Sequence, residues 1–287
     1  MLNHSQVRKF PPAFLAKFTS LKDKLINTLL SIENYKTAVE EYRRAERTLR
    51  CIEMEQIIDQ LPVVKQCCSF LPYNNVLYSY VLYGLVPSLL AEKVFIRPAH
   101  LSSQTALKIY QLFQPDFKDK IIMESWTRRE YIYNVASQSD VILFTGKYSS
   151  ITEVKEQLKP EQLFIYNGNG LVSFIIHSDA DIDKAVRGAI SDRLYNSGQD
   201  CICPDVFLIH KSILNKFLET LTKSLTKLHF GKNTDVHADY GTILNKEVIN
   251  QVSTFFNKSK KNIIYGGNID DINSVVYPTI ILENNLL

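Results

Sequence analysis

An alternation of texture between residues 62 and 147 constrains this chain more than any other feature. Short β-rich runs, "VVKQCCSF", "KVFIRP", "DKIIMES" and "DVILFTG", take turns with helical ones, "VLYSYVLYGLVPSLL", "SSQTALKIYQLF" and "REYIYNVAS". Strands separated by helices cannot close as tight hairpins, so they pair in parallel through crossover connections. Such a sheet is covered by helices on both faces, which is why its strands read as continuous apolar runs. The expected class is α/β.

The flanks extend this pattern. Up to residue 55, "AFLAKFTSLKDKLINTLLSI" and "YKTAVEEYRRAERTLRCIEMEQII" place apolar residues at three-to-four spacing, as amphipathic helices do. A second α/β region follows residue 167. "EQLFIYNGNG", "VSFIIHS" and "PDVFLIHK" read as strands, "DADIDKAVRGAISDRLYNSG" and "SILNKFLETLTKSLTKL" as helices, and "NIIYGG" and "VVYPTIIL" as β runs. Ser178-x-x-Asp181 has the spacing of a capping box at the start of the first helix. With 287 residues and no linker, the chain suits one large or two ordinary domains. The expected division is 1–55, 56–167 and 168–287, with the change between 167 and 178. No repeat period is present.

Composition narrows the function classes. Hydrophobic and charged contents of 45% and 22% are those of a folded, soluble protein. A net charge of +3, evenly spread, argues against a nucleic-acid or membrane partner, and "NKSKKN" reads as a solvated loop. The apolar stretch 76–96 is interrupted by Gly84 and Pro87 and closed by Glu92-Lys93, short of the roughly 20 residues of a membrane span. The N-terminus lacks the apolar core of a signal peptide, and the five cysteines do not form a disulfide framework, so the expected compartment is cytoplasmic.

Two of those cysteines lie in "YNSGQDCICPD", residues 195–205. Cys201-x-Cys203 has no second ligand pair at zinc spacing, since His177 and His210 stand isolated in β runs, and no metal is expected. A Cys-x-x-Cys redox motif is also absent. Cys203 reads as packing beside a strand. Cys201 follows a helix with Gly198 as its C-cap, so two readings stay open: a packing thiol, or a nucleophile held in a turn.

"YNSGQDCICP" resembles the Asn-x-Gly-Gln-x-Cys signature of the aldehyde dehydrogenase superfamily. Further matches follow in order. "SFLPYNNVLY" resembles the family's Pro-Trp-Asn segment at Pro72, Tyr73 and Asn74. "LVPSLLAEKVFIRPAHLSSQTAL" resembles the helix and strand after it. "DVILFTGK" resembles the Phe-Thr-Gly-Ser segment, "IIHSDADIDKAV" the Asp-Ala-Asp helix start, and "VVYPTIIL" the late Pro-Thr strand. The resemblance runs from about residue 40 to the end. It implies a Rossmann-like NAD(P)-binding core at 56–167, with 1–55 as its helical N-terminal part, and a partial catalytic domain at 168–287. It further implies that Cys201 attacks an aldehyde, with the oxyanion held by the Asn74 amide and the Cys201 N–H. Pro72, Tyr73, Arg97, Gly146, Lys147 and Gly168 fall on cofactor-binding positions, NAD or NADP.

Several positions depart from the family. The glutamate that activates the deacylating water falls on Asn167, which as an amide cannot accept a proton; Asn167-Gly168 otherwise reads as a turn. Asp200 and Glu161 are stand-in bases. The family lysine becomes Arg97, the acid gripping the adenine ribose becomes His100, and the serine after Phe-Thr-Gly becomes Lys147. No glycine lies between Gly84 and Gly146. The chain ends before the family's Glu-x-Phe-Gly-Pro segment and oligomerisation arm, which leaves homo-oligomers compatible but without their usual arm. The expected function is oxidation of an aldehyde through a thioester on Cys201. The alternatives are release of that thioester to coenzyme A, reduction of an acyl thioester, and a non-catalytic relative.

Overall fold

A computed structural model describes residues 8–52, 56–168 and 170–283. The chain divides into two compact units. One takes the described residues through Ser31 and from Ala38 to Gly168; the other takes Ile32–Thr37 and the residues from Gly170 on.

The first unit is built on five parallel strands in the order β3-β2-β1-β4-β5. They are β1 (Val64–Phe70), β2 (Ala91–Arg97), β3 (Ile121–Met123), β4 (Val141–Thr145) and β5 (Leu163–Asn167). Because side chains alternate along a strand, β1 sends Cys67 and Ser69 to one face and Cys68 and Phe70 to the other. Three N-terminal helices, α1 (Pro12–Ser20), α2 (Lys22–Leu29) and α3 (Tyr35–Cys51), belong largely to this unit. With α5 (Ser103–Phe117) they enclose an aromatic stack in which Phe18 lies 5.5 Å from both Tyr42 and Phe113. Each buried Phe or Leu there contributes about 1.5–3 kcal/mol. The opposite face packs Phe70, Ile142 and Phe144 under α6 (Arg128–Asn134) and the short α7 (Thr152–Lys155). A capping box starts α6: Thr127 Oγ1 accepts from Glu130 N, and Glu130 Oε2 accepts from Thr127 N.

The apolar connection from β1 to β2 is helical, as its pattern suggests. It comprises α4 (Val76–Tyr80), a π-helical turn over Val81–Leu85 and a 3-10 turn at Pro87–Leu89. A Cβ at Gly84 would come within 2.5 Å of Ile96 Cδ1 on β2, so even an alanine there would have to displace the tip of that buried side chain. Among the described residues, no helix is long and apolar enough to cross a membrane.

The second unit pairs β6 (Ser173–Ile176) in parallel with β7 (Val206–Ile209). Ile176, Val186, Ala189 and Phe217 form its core between these strands, α8 (Ile182–Leu194) and α9 (Leu214–Leu225). α10 (Lys246–Lys258) precedes two small antiparallel pairs: β8 (Ile263–Tyr265) with β11 (Ile280–Ile281), and β9 (Ile269–Asp270) with β10 (Val275–Val276). The run "VVYPTIIL" is therefore two short strands interrupted at Pro278. The cap of α8 is Asp181, whose Oδ1 accepts from Lys184 N at 3.0 Å, and not Ser178. Asp181 is the residue with extended backbone immediately before the first helical turn, so its oxygen is the one in reach.

Candidate functional site

In the first unit, strand order reverses direction between β1 and β4. Ligands in open parallel sheets bind outside the carboxyl ends of the strands at such a point. The register places Phe70 beside both Arg97 and Phe144, and Thr145 beside Asn167. Pro72, Tyr73 and Asn74, Arg97, Gly146 and Lys147, and Asn167 and Gly168 thus all follow or end strands on this one edge. Asn75, at φ 50 and ψ 48, turns the chain left-handed after Asn74 and opens α4. Asparagine tolerates that conformation at little cost. Tyr73 is half-buried, and burial raises its phenol above the ordinary range. Lys147 is exposed.

Asn167 closes β5 and is not in a turn; its Nδ2 donates to the Tyr83 hydroxyl at 3.2 Å. Its carbonyl accepts from Gly146 N at 3.1 Å, which explains why it stays in the strand. Glu161 is removed as a stand-in base. It precedes β5 and lies at the amino edge of the sheet, a strand length from Asn167. Five residues at about 3.3 Å each separate the two edges.

Residues that the sequence reading passed over complete this edge. Tyr131 is fully buried, and its hydroxyl accepts from Ser69 N and donates toward Ser69 O at 3.1 Å and Phe95 O at 2.8 Å. Arg128 lies 5.9 Å from the Phe70 ring centroid and 5.6 Å from that of Phe144, and pairs with Glu153 at 3.2 Å. The helix-start signature Thr127-x-x-Glu130 was legible and would have placed Arg128 at the first turn of α6. Arg97 is half-buried; burial first, and then the Arg128 charge, draws its guanidinium below its ordinary value. Three polar groups here are buried with no partner: Arg97 Nε, Trp126 Nε1 and Thr145 Oγ1. An unpaired buried donor costs about 1–3 kcal/mol. Arg97 and Arg128 put two guanidinium groups at this edge, which suits the anionic phosphate of a dinucleotide.

In the second unit, the chain around Cys201 is fixed by its backbone. After α8, Asn196 (φ 47), Ser197 (φ 56) and Gly198 (φ 79) form three successive left-handed residues. The reversal therefore begins two residues before Gly198, the expected cap. Two of the three carry side chains, at about 1 kcal/mol or more each. Hydrogen bonds hold the turn: Asn196 N to Thr37 Oγ1 at 3.1 Å, Gly241 N to Ser197 Oγ at 2.8 Å, and Leu244 N to Gln199 Oε1 at 2.9 Å. A second turn follows, in which Cys203 N donates to the carbonyl of buried Asp200 at 3.1 Å. Cys201 at its crest is exposed, whereas Cys203, Cys67 and Cys68 are buried. Burial pushes the Cys203 thiol up to about 11 and Cys67 to about 12, with Cys68 higher still. His177 and His210 are not isolated. The parallel register of β6 and β7 sets their rings 5.4 Å apart. Among the described residues, no group of three or more His, Cys, Asp or Glu could hold a metal ion.

A family model, "Aldehyde dehydrogenase family", matches residues 19–285. The chain belongs to the aldehyde dehydrogenase family. It is similar to the 4,4'-diaponeurosporen-aldehyde dehydrogenase of Staphylococcus aureus, 25% identical over 73% of this chain and 48% of that protein. Family enzymes of solved structure share the fold. Succinate-semialdehyde dehydrogenase from Burkholderia pseudomallei superposes with a TM-score of 0.84 at 20% identity, over 93% of this chain and 62% of that one. Glyceraldehyde-3-phosphate dehydrogenase GapN from Methanocaldococcus jannaschii, complexed with NADP, superposes with a TM-score of 0.80 at 18% identity, over 92% and 63%. The chain thus spans about half the length of that curated relative and three fifths of these solved chains.

Proposed function

We propose that this chain carries out aldehyde dehydrogenase chemistry on NAD(P), with Cys201 as the nucleophile. The carrying observation is the contrast among thiols in a member of this family. Cys201 stands exposed on a hydrogen-bonded turn, while burial keeps Cys67, Cys68 and Cys203 protonated.

In this reading the Cys201 sulfur forms a bond to the aldehyde carbon as the carbonyl π electrons move to oxygen. The Asn74 amide and the Cys201 N–H donate to that oxyanion. NAD(P), when bound, supplies the hydride acceptor. The oxyanion re-forms the carbonyl as hydride leaves, and a thioester remains on Cys201. Pro72, Tyr73, Arg97, Gly146, Lys147 and Gly168 would hold the cofactor.

Release of the acyl group favours a second reading within the same chemistry. Asn167 donates its amide to Tyr83, so it offers no base for water. A thiol such as coenzyme A needs less help as an acyl acceptor, and the same steps reversed would reduce an acyl thioester.

The test incubates the protein with NAD(P)+ and a panel of aldehydes, with and without coenzyme A. We expect cofactor reduction, an acyl adduct at Cys201 by intact mass, and loss of both in Cys201→Ala. Asn74→Ala should lower kcat by about 10²–10³-fold. Activity retained in Cys201→Ala would overturn the reading.

A further inference from the structure

The turn that presents Cys201 is held by two hydroxyl groups whose partners lie far away in sequence. We propose that Thr37 and Ser197 are positioning residues: their hydroxyls fix the left-handed turn ahead of Cys201 and so aim its thiol. This rests on the reading that Cys201 is the nucleophile, and it names what holds that nucleophile in place.

Asn196, Ser197 and Gly198 are left-handed in succession, and only the last is a glycine. A residue with a side chain stays in that conformation only where its surroundings over-determine it. Here three segments of the second unit converge on the turn. Thr37 Oγ1, in the first turn of α3, accepts from Asn196 N at 3.1 Å. The Ser197 hydroxyl accepts from Gly241 N at 2.8 Å, and Gln199 Oε1 accepts from Leu244 N at 2.9 Å. Gln199 Nε2 also donates back to the Asn196 carbonyl at 3.0 Å, which closes the turn on itself.

The groups that hold the turn are themselves fixed. Thr37 is buried, and its N–H donates to Asn34 Oδ1 at 3.0 Å where α3 begins. Its neighbour Lys36 pairs with Asp239 at 2.6 Å, and Asp239 Oδ2 accepts from His229 N at 2.9 Å. The start of α3 thus holds both the Cys201 turn and the loop that carries Gly241. A Cβ at Gly241 would lie 3.5 Å from Asn34 Cβ, so that loop lies directly against the helix start. Rigidity ahead of a nucleophile bears on rate, since a misplacement of about 1 Å lowers turnover by about 10²-fold.

Turnover of propanal and of benzaldehyde is measured with NAD+ and with NADP+, coenzyme A present, on the wild type, Thr37→Val, Thr37→Ser and Ser197→Gly. Valine keeps the shape of threonine without its acceptor, and serine keeps the acceptor. Glycine at 197 removes the hydroxyl while accepting the left-handed backbone freely, so it separates aim from stability. We expect kcat to fall about 10–100-fold in Thr37→Val and Ser197→Gly, with the KM for cofactor unchanged. Thr37→Ser should keep most of the wild-type kcat, and Ser197→Gly should melt near the wild-type temperature. Iodoacetamide at pH 8, read by peptide mass, should label Cys201 at close to the wild-type rate in every variant and leave Cys203 unmarked.

Wild-type kcat in Thr37→Val or in Ser197→Gly would overturn the proposal, as would equal losses in Thr37→Val and Thr37→Ser. Labelling of Cys203 alongside lost turnover would also overturn it, because the turn would then have melted rather than lost its aim. Turnover abolished in Cys201→Ala but unchanged in the hydroxyl variants removes this inference and leaves the proposed function standing. Turnover absent from the wild type, or retained in Cys201→Ala, removes both.

Discussion

In the proposed chemistry, the amide at Asn167 bears on how the acyl group leaves. A glutamate at that position could accept a proton; the amide donates one, to Tyr83. Asn167→Glu should therefore raise release to water by about 10²-fold or more. The readout is carboxylic acid formed per cofactor reduced, without coenzyme A, and an unchanged rate would remove Asn167 from the account of release. The buried thiols make a prediction of a different kind. Burial raises Cys67 from its ordinary 9.0 to about 12 and Cys203 to about 11. The folded state thus holds protons that the unfolded state gives up. That contribution is complete below about pH 9 and is lost as pH rises toward 11–12. We expect the melting temperature to fall over this range, with a shallower fall in Cys67→Ala. At pH 8, alkylation should mark Cys201 well before Cys203.

At the scale of elements, the connection from β1 to β2 is closely packed against β2. Gly84→Ala would press a methyl group against Ile96, and overpacking of that kind costs about 1–3 kcal/mol. A denaturation midpoint lowered at constant m-value is the expected result. The elements are also where sequence reading was most reliable. The parallel sheet was legible because buried strands and amphipathic helices differ in period, and tertiary packing did not override either signal. The left-handed run Asn196–Gly198 was less so. Glycine marked the reversal, but Asn196 N donating to Thr37 Oγ1 and Gly241 N donating to Ser197 Oγ hold Asn196 and Ser197 in a conformation their propensities do not announce. Tyr131, Arg128 and Trp126 stayed hidden for another reason: only the register of β1, β2 and β4 brings their positions to one edge.

For the whole molecule, exposure along β6 sets an expectation about association. Phe174 and Ile176 face α8 and α9, while Ile175 points away and is 74% exposed. Leu171 nearby is 73% exposed. A two-stranded sheet covered on one side leaves apolar surface and unpaired backbone, both of which favour self-association. Ile175→Lys should reduce association in sedimentation velocity while changing stability by no more than about 0.5 kcal/mol. Division into two compact units places Asn74 and Cys201 in different units. Their proposed roles rest on the ordered motif matches, since neither residue's local pattern points to the other.

The Tyr131 hydroxyl binds backbone groups of both β1 and β2 from a side chain rooted in α6. In terms of time, this means that the end of the central strand pair cannot open while α6 stays in place. Amide protons there exchange with solvent through an event that also releases the helix carrying Arg128. The carboxyl end of the central strand pair and the helix that carries Arg128 are thereby tied to a single clock.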